Sequence, residues 1–235
     1  MSRILTLTTD FGTSDHYVAV LKAVVLDRAP SDTRLLDITH DISPGDVLSG
    51  GWVLGEASRW YPEGSIHLAV VDPGVGTDRK GVLVECRGMW FVGPDNGLLS
   101  VVCRDAEYRA WVLDREEWWI HPVSSTFHGR DIFAPVAAHL AGGVPPDKLG
   151  SAGHRLLERR WVEPEEDADS VHGWIIHCDR FGNLVSNIPM ETLVRRGFAA
   201  DREGAPVRIY IENTILSGIH DTFGQVEEGE VVAYG

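Results

Sequence analysis

The sequence predicts an α/β protein. We expect an N-terminal α/β domain with a mainly parallel sheet and a smaller, all-β C-terminal domain. Short apolar runs alternate with helix-like stretches through the first half, which is typical of right-handed βαβ units. After Val171 the apolar runs become short and β-branched, as in small all-β domains. We place the first domain at residues 1–160 and the second at 161–235, with the charged stretch ERRWVEPEEDADS as the linker region.

The elements of the first domain follow one another in a regular order. We expect strands at 3–8, 34–38 and 65–71, helices at 15–28, 46–60 and 130–140, and a hairpin at 81–93. The hairpin should turn near Arg87 and Gly88, and Ser14 or Asp15 should cap the first helix. In the second domain we expect strands within VHGWIIHC, NLVSNI, PVRIYIE and EVVAYG.

Composition and charge exclude several classes of protein. The chain has 235 residues, 43% hydrophobic and 24% charged, which argues against disorder and coiled coil. No stretch approaches the ~20 apolar residues that a membrane span needs, and the start lacks the apolar region of a signal peptide. Three scattered cysteines without a C-x-x-C pair fit a reducing, cytoplasmic location. A net charge of −14 argues against nucleic acid as a partner.

Four loops that follow predicted strands or hairpins each carry an Asp beside a Gly. Asp and Gly are common in turns for backbone reasons alone, so one such loop indicates little. The carboxyl ends of parallel strands meet at one edge of a sheet, where ligands bind in α/β folds. Four loops at that edge therefore favour a binding site; they span residues 8–15, 39–46, 71–79 and 93–97.

Two of these loops and the segment STFHGRD suggest particular chemistry. The Asp10 carboxylate can accept two hydrogen bonds from a ribose diol, and no phosphate-binding G-x-G-x-x-G or Walker pattern is present. A tight loop around two glycines can pair Asp72 with Arg79. Together with His128, this pair could handle a proton of a bound water. The alternative for His128 is an ordinary surface or capping histidine.

A metal site is a second interpretation of the same loops. It has suitable residue types but no recognised motif such as H-E-x-x-H, so we expect no metal. Its candidate ligands are Asp10, His16, His40, Asp41, Asp72, Asp95, Asn96 and His128. Asn183, in a Gly-Asn turn between strands, is either structural or contacts a polar ligand group.

Six motifs in order along the chain resemble those of a known family. They are TLTTDFGTSDHYVAVLKAV, DITHDISPGD, VVDPGVGTDRKG, GPDNG, STFHGRDIFAP and RFGNLVSNI. Together they resemble the S-adenosyl-L-methionine (SAM) hydrolases, also called SAM hydroxide adenosyltransferases, which are related to the fluorinase and chlorinase. The resemblance runs from about residue 4 to residue 235, and it implies an N-terminal α/β domain followed by a C-terminal β-barrel-like domain. Members of the family continue past VVAYG into a strand-rich tail, so the resemblance implies a second domain truncated at its C-terminus.

The resemblance implies a reaction, an assembly and roles for individual residues. SAM and water would give adenosine and L-methionine without a cofactor, in a homotrimer with sites between neighbouring subunits. Asp72, Arg79 and His128 would be catalytic. The substrate-binding residues would be Asp10 at the ribose, Asp15 at the methionine, Asn183 near the adenine, and Phe127.

Two other functions remain open beside hydrolysis. The first is transfer of the adenosyl group to a halide, giving 5′-halo-5′-deoxyadenosine. The related halogenases carry an aromatic hydroxyl side chain where Asp72 lies, so the resemblance favours water over halide. The second alternative is a nucleoside-binding or SAM-binding protein with little turnover.

Overall fold

The computed structural model describes residues 3–158, 163–198, 207–220, 222–227 and 230–234. Its internal contacts divide the chain into two units, Met1–Arg159 and Arg160–Gly235. Residues 159–162, in the predicted linker region, lie outside the described residues.

A seven-stranded mixed sheet forms the centre of the first unit. Its strand order is β2-β1-β3-β5-β4-β6-β7. The pairs β1–β2, β1–β3 and β3–β5 are parallel, whereas β4–β5, β4–β6 and β6–β7 are antiparallel. The strands are β1 Ile4–Thr9, β2 Arg34–Thr39, β3 Ile66–Val70, β4 Gly81–Cys86, β5 Met89–Pro94, β6 Tyr108–Val112 and β7 Ser151–Ala152.

The expected mainly parallel sheet is therefore mixed, and the hairpin explains the difference. β4 and β5 are joined by Arg87 and Gly88, whose φ angles of 51° and 72° are both left-handed. Two left-handed residues are characteristic of the type I′ turn, which joins antiparallel strands. The sequence analysis placed this turn correctly but did not predict β6 or β7, which extend the antiparallel half of the sheet.

Five helices accompany the sheet, and their starts reflect local capping. The caps of α1 predicted at Ser14 or Asp15 are wrong, because the N-cap is His16, without a side-chain hydrogen bond. At α2, by contrast, the Asp46 carboxylate accepts a hydrogen bond from Ser49 N at 3.0 Å. The helices are α1 Tyr17–Arg28, α2 Val47–Ser58, α3 Leu98–Val102, α4 Ala134–Ala141, which continues a π-helical turn Gly129–Phe133, and α5 Pro146–Leu149.

The helices cover both faces of the sheet, giving three layers. α1 contacts α4 on one face, and α2 contacts α3 on the other. Successive residues of a strand point to opposite faces. Accordingly, Leu68 and Val70 pack in the first core while Ala69 and Val71 pack in the second. The two cores fix β3 from both sides and so fix the position where its carboxyl end emerges.

The second unit contains small antiparallel sheets and one helix in its described residues. The expected strands are present in part, but the helix α6, Met190–Arg195, was not predicted. A barrel-like arrangement stays a prediction. Three two-stranded sheets pair β8 Glu165–Glu166 with β9 Val171–His172, β10 Ile175–Cys178 with β11 Leu184–Ser186, and β12 Arg208–Ile211 with β13 Thr214–Ser217. In the predicted strand EVVAYG, the described residues 230–234 contain only an isolated bridge, from Tyr234 to His220.

In the described part of the chain, no helix combines the length and apolar character that crossing a membrane requires.

Candidate active site

The carboxyl ends of the parallel strands bring two predicted loops together. Asp10 directly follows β1, and its Oδ2 accepts a hydrogen bond from Gly45 N at 2.8 Å in the loop after β2. A second bond joins the same loops, from Gly12 N to the His40 carbonyl at 2.8 Å. The loops predicted from separate strand ends thus form one surface, as the topology of a parallel sheet requires.

Burial shapes the charge of Asp10. Desolvation raises the pKa of the Asp10 carboxyl above its ordinary value, and the nearby carboxylate of Asp72 raises it further. The hydrogen bond from Gly45 N opposes this shift by stabilising the ionised form. The contribution from Asp72 shows that the first and third loops also lie close together.

Asp72 and Arg79 form a buried ion pair at the carboxyl end of β3. Arg79 Nε lies 3.0 and 2.9 Å from the two carboxylate oxygens, and Nη2 also donates to Oδ2. The two side chains are only 5% and 10% exposed. Such a forked contact from a guanidinium fixes the plane and the orientation of the carboxylate.

His128 completes the cluster. Arg79 Nη2 donates to His128 Nδ1 at 2.7 Å. Arginine has no acceptor, so Nδ1 is the unprotonated nitrogen and a neutral ring carries its proton on Nε2. Burial lowers the pKa of His128, and the positive charge of Arg79 lowers it further, while Asp72 and Asp131 oppose the shift. Arg79 therefore bridges a carboxylate and a neutral imidazole.

Two features hold the His128 loop against the Asp72 loop. Gly76 has φ +78°, and a Cβ there would lie 2.2 Å from the carbonyl oxygen of Ser125. Only glycine permits both this backbone conformation and this approach. Behind the loop, Asp131 is fully buried, accepts a hydrogen bond from Ser124 N at 2.8 Å and pairs with Arg130 Nε at 2.6 Å.

Phe127, predicted to bind substrate, belongs to an aromatic group beside His128. Its ring centre lies 6.1 Å from Phe11 and 5.5 Å from Tyr17, in edge-to-face arrangements, and Arg130 lies over it at 5.1 Å. Asp15 is exposed just before α1, two residues from Tyr17. These residues border the strand-end surface that carries Asp10.

Asn183, the seventh predicted site residue, lies in the second unit. It closes a turn between β10 and β11 in which the Asp179 carboxylate accepts hydrogen bonds from Phe181 N, Asn183 N and Asn183 Nδ2, at 2.9, 2.8 and 2.7 Å. The hydrogen bond from the Asn183 side chain is the main cause that lowers the pKa of Asp179. The turn therefore fixes the carboxamide of Asn183.

The metal interpretation requires several ligating side chains that lie close together. Among the described residues, no group of three or more His, Cys, Asp or Glu side chains is arranged to hold a metal ion. His40, one of its candidate ligands, is buried, and its Nδ1 lies 2.8 Å from Thr9 Oγ1. That contact joins β1 to the loop after β2.

A cavity of about 610 Å³ opens beside Arg79 and away from the other members of the cluster. Neither Asp10, Asp72 nor His128 lines it, so the cavity does not define the candidate site. Its lining is Asp78, Arg79, Lys80, Asp95, His154, Arg155, Leu156, Leu157 and Glu158.

Sequence reasoning missed residues that support the site rather than form it. Asp131 lies within the motif STFHGRD, but the sequence did not indicate a role for it. A charged residue directly before the apolar run IFAPVAAHL could have indicated a buried, paired carboxylate. The aromatic contacts of Phe11 and Tyr17 left no signal, because they depend on the approach of two loops distant in sequence.

Comparison with known proteins identifies the family of this chain. The SAM hydroxide adenosyltransferase N-terminal domain matches residues 5–150, and the corresponding C-terminal domain matches residues 173–235. An (R)-S-adenosyl-L-methionine hydrolase of Thermus thermophilus is 40% identical over 240 residues, covering 96% of this chain and 85% of the relative. A fluorinase of Nocardia brasiliensis is more distant, at 28% over 262 residues, covering 98% and 86%.

A solved structure shares the fold. The crystal structure of an uncharacterized conserved protein from Thermotoga maritima superposes with a TM-score of 0.86 at 35% identity, covering 98% of this chain and 88% of that one. The family matches span most of both units, and the hydrolase relative is similar over nearly the whole chain. The chain belongs to the SAM hydroxide adenosyltransferase family.

Proposed function

We propose that this protein hydrolyses SAM to adenosine and L-methionine, with water attacking C5′ of the ribose. The observation that carries the proposal is the part-buried cluster of Asp72, Arg79 and His128 at the carboxyl edge of the sheet, close to Asp10. Its relatives named (R)-S-adenosyl-L-methionine hydrolase support the same substrate and reaction.

The reaction places its main demand on the nucleophile. A bond forms between the water oxygen and C5′, and the C5′–S bond breaks with its electron pair passing to sulfur. The positive sulfonium thereby becomes a neutral thioether, so the leaving group needs no general acid. Water is a weak nucleophile because its pKa is ~15.7. The site must therefore orient the water and accept the proton that the oxygen loses.

The cluster supplies both functions in this proposal. The Asp72 carboxylate retains acceptor positions beyond its bonds to Arg79, so it can accept a hydrogen bond from the attacking water. Arg79 fixes the carboxylate and the imidazole relative to each other. His128, held by Arg79 and by a hydrogen bond to the Ser124 backbone, would help to orient the water through its neutral imidazole.

Substrate recognition would come from four further residues. Asp10 would accept hydrogen bonds from the ribose hydroxyls and Phe127 would pack against the substrate. Asp15 would contact the methionine ammonium, and Asn183 the adenine. The exposure of Asp15 and the fixed carboxamide of Asn183 support these roles.

Halide transfer is the second candidate, since fluorinases are more distant relatives. The charge of the cluster favours water. A halide approaching C5′ would meet the buried carboxylate of Asp72, and two negative charges repel strongly away from bulk solvent. Water can instead donate a hydrogen bond to the same oxygen atoms.

The decisive experiment is to incubate the purified protein with SAM, with and without fluoride or chloride, and to separate the products by chromatography. Equal amounts of adenosine and methionine, independent of halide, are expected. A halide-dependent 5′-halo-5′-deoxyadenosine would establish the halogenase alternative. Binding of SAM without either product would establish a binding protein. Repeating the assay with a chelator tests the metal interpretation, and unchanged turnover is expected.

We also propose a homotrimer with sites between neighbouring subunits, the domain division 1–160 and 161–235, a barrel-like second domain and a cytoplasmic location. The two units of internal contacts support the division.

Large exposed apolar side chains in the second unit, Phe181 (90% exposed) among them, support an assembly that covers them. Sedimentation should give a trimer, and a monomer at micromolar concentration would contradict this.

A further inference from the structure

The motif GPDNG lies at the carboxyl end of β5, and none of its side chains has a role in the reaction proposed above. Asn96 is its buried polar side chain, with 7% of its surface exposed. Its Nδ2 donates to the carbonyl oxygen of Val71 at 2.8 Å, and its Oδ1 accepts a hydrogen bond from Leu98 N at 3.2 Å. The bond to Leu98 is a local turn at the start of α3. The bond to Val71 reaches a different strand.

Val71 and Lys80 flank the loop that carries the ion pair. Val71 directly precedes Asp72, and Lys80 directly follows Arg79. The backbone N–H of Asp95 donates to the Lys80 carbonyl at 2.8 Å. The consecutive residues Asp95 and Asn96 therefore hold one flank each of the loop from Asp72 to Arg79.

We propose that Asn96 is a positioning residue for the hydrolysis. By holding the Val71 carbonyl it fixes the backbone from which Asp72 extends, and so fixes the carboxylate against Arg79 and His128. This inference rests on the proposed function, because it assigns Asn96 a role only through Asp72.

The sequence of the loop from Asp72 to Arg79 explains why its two ends must be held in place. Between Asp72 and Arg79 lie two glycines, and Gly76 has φ +78°. Glycines give the loop conformational freedom that must be removed at its ends. A displacement of the reacting groups by about 1 Å can cost ~10²-fold in rate. The Asn96 amide, which donates to the carbonyl of Val71 directly before Asp72, is well placed to prevent such a displacement.

The test compares two Asn96 variants with a matched control. Asn96→Ala removes both side-chain bonds. Asn96→Ser keeps a hydroxyl that can accept from Leu98 N but is too short to reach Val71. Ser65→Ala is the control, because Ser65 is also buried, donates to the Pro62 carbonyl at 2.6 Å, and lies at the opposite end of β3. The readouts are kcat, KM and Kd for SAM, and the melting temperature.

Both Asn96 variants should lose kcat by about 10- to 100-fold with Kd for SAM within about threefold, because the displaced group orients water rather than substrate. Ser65→Ala should be destabilised with a kcat within about twofold of the parent. Parental kcat in folded Asn96 variants would overturn the inference. Failure of both variants to fold, while Ser65→Ala folds, would assign Asn96 to the fold alone and overturn it too.

A double variant separates this inference from the proposed function. If Asn96 acts through Asp72, the variant Asn96→Ala/Asp72→Asn should be no slower than Asp72→Asn, because the positioned group is already lost. If the loss of kcat in the double variant equalled the product of the two single losses, the inference would be overturned and the proposal of hydrolysis would stand. Parental kcat in Asp72→Asn alone would instead overturn the mechanism, and the role of Asn96 with it.

Discussion

Arg79 donates a 2.7 Å hydrogen bond to Nδ1 of His128 while holding both carboxylate oxygens of Asp72. The first contact exists only while Nδ1 is unprotonated, since a guanidinium cannot accept a hydrogen bond. The protonation state of one imidazole therefore decides whether the cluster is complete. Burial and the charge of Arg79 both lower the pKa of His128, and so keep the ring neutral near pH 7.

The pH profile of kcat should reflect this arrangement. Because the pKa of His128 is lowered, the ring should stay neutral below the ordinary imidazole value of ~6.5, and activity should persist there. At still lower pH, protonation of Nδ1 should break the bond to Arg79 and kcat should fall. The measurement is kcat at saturating SAM from about pH 4 to 9, on the assumption that chemistry limits the rate. An acid limb centred above the ordinary value would contradict a lowered pKa of His128.

Asp10→Ala should weaken substrate binding. Loss of a charged, bidentate hydrogen-bond acceptor costs ~1.5–3 kcal/mol, or about 10- to 150-fold in Kd. The matched control is Asp32→Ala, which removes an exposed carboxylate in the loop after α1. Calorimetry with adenosine measures both variants. If Asp10→Ala bound adenosine as tightly as the parent, the ribose role of Asp10 would be wrong.

Gly76→Ala should lower kcat as well as the free energy of unfolding. A Cβ at this position meets the Ser125 carbonyl at 2.2 Å and would push the Asp72 loop away from His128. Gly64→Ala is the control, since Gly64 has φ +82° but no atom within 4 Å of the added Cβ. Both variants carry the left-handed backbone cost of ~1–2 kcal/mol. Only Gly76→Ala should lose kcat, by at least about tenfold. Equal kcat values in the two variants would show that the loop contact is unimportant.

The sequence predicted the strand-end loops because local signals place them. Asp10 and Asp72 each follow an apolar β-branched run, and parallel strands bring their carboxyl ends to one edge. The candidate catalytic roles came from the family resemblance, while the loop around two glycines only suggested that Asp72 could pair with Arg79, as it does in the structure.

Features that depend on packing between distant segments could not be predicted. The bond from Asn96 to Val71 spans 25 residues, and the approach of Gly76 to Ser125 joins two loops with no shared pattern. The start of α1 at Tyr17 also differs from the capping prediction. Propensity favours Ser14 or Asp15, but the Phe11–Tyr17–Phe127 contacts fix the chain there instead.

His67 should make the protein sensitive to acid. It is fully buried in β3, where Thr6 Oγ1 lies 2.7 Å from Nδ1, and burial lowers its pKa to about 4. An imidazole with a lowered folded-state pKa contributes stability above the unfolded value of ~6.5, lost as the pH falls toward the folded value. The free energy of unfolding should fall by about 2 kcal/mol from this residue between about pH 7 and 5. In His67→Gln, the free energy of unfolding measured by urea denaturation should fall less between these two pH values, by that same amount. An equal fall in the variant and the parent would contradict the assignment.

Asp72→Asn should nearly abolish hydrolysis while leaving SAM binding largely intact. Asn keeps the size of the side chain and one acceptor, but it carries no charge to balance Arg79 or to take a proton from water. If water activation limits the rate, kcat should fall by ~10²–10⁴-fold, whereas Kd should change little because the carboxylate contacts water rather than substrate. Adding His128→Ala should cost less than the product of the two single losses, since Arg79 joins both groups into one unit. The measurements are kcat and Kd for the two single variants and the double variant. A near-parental kcat in Asp72→Asn would remove the central residue from this mechanism.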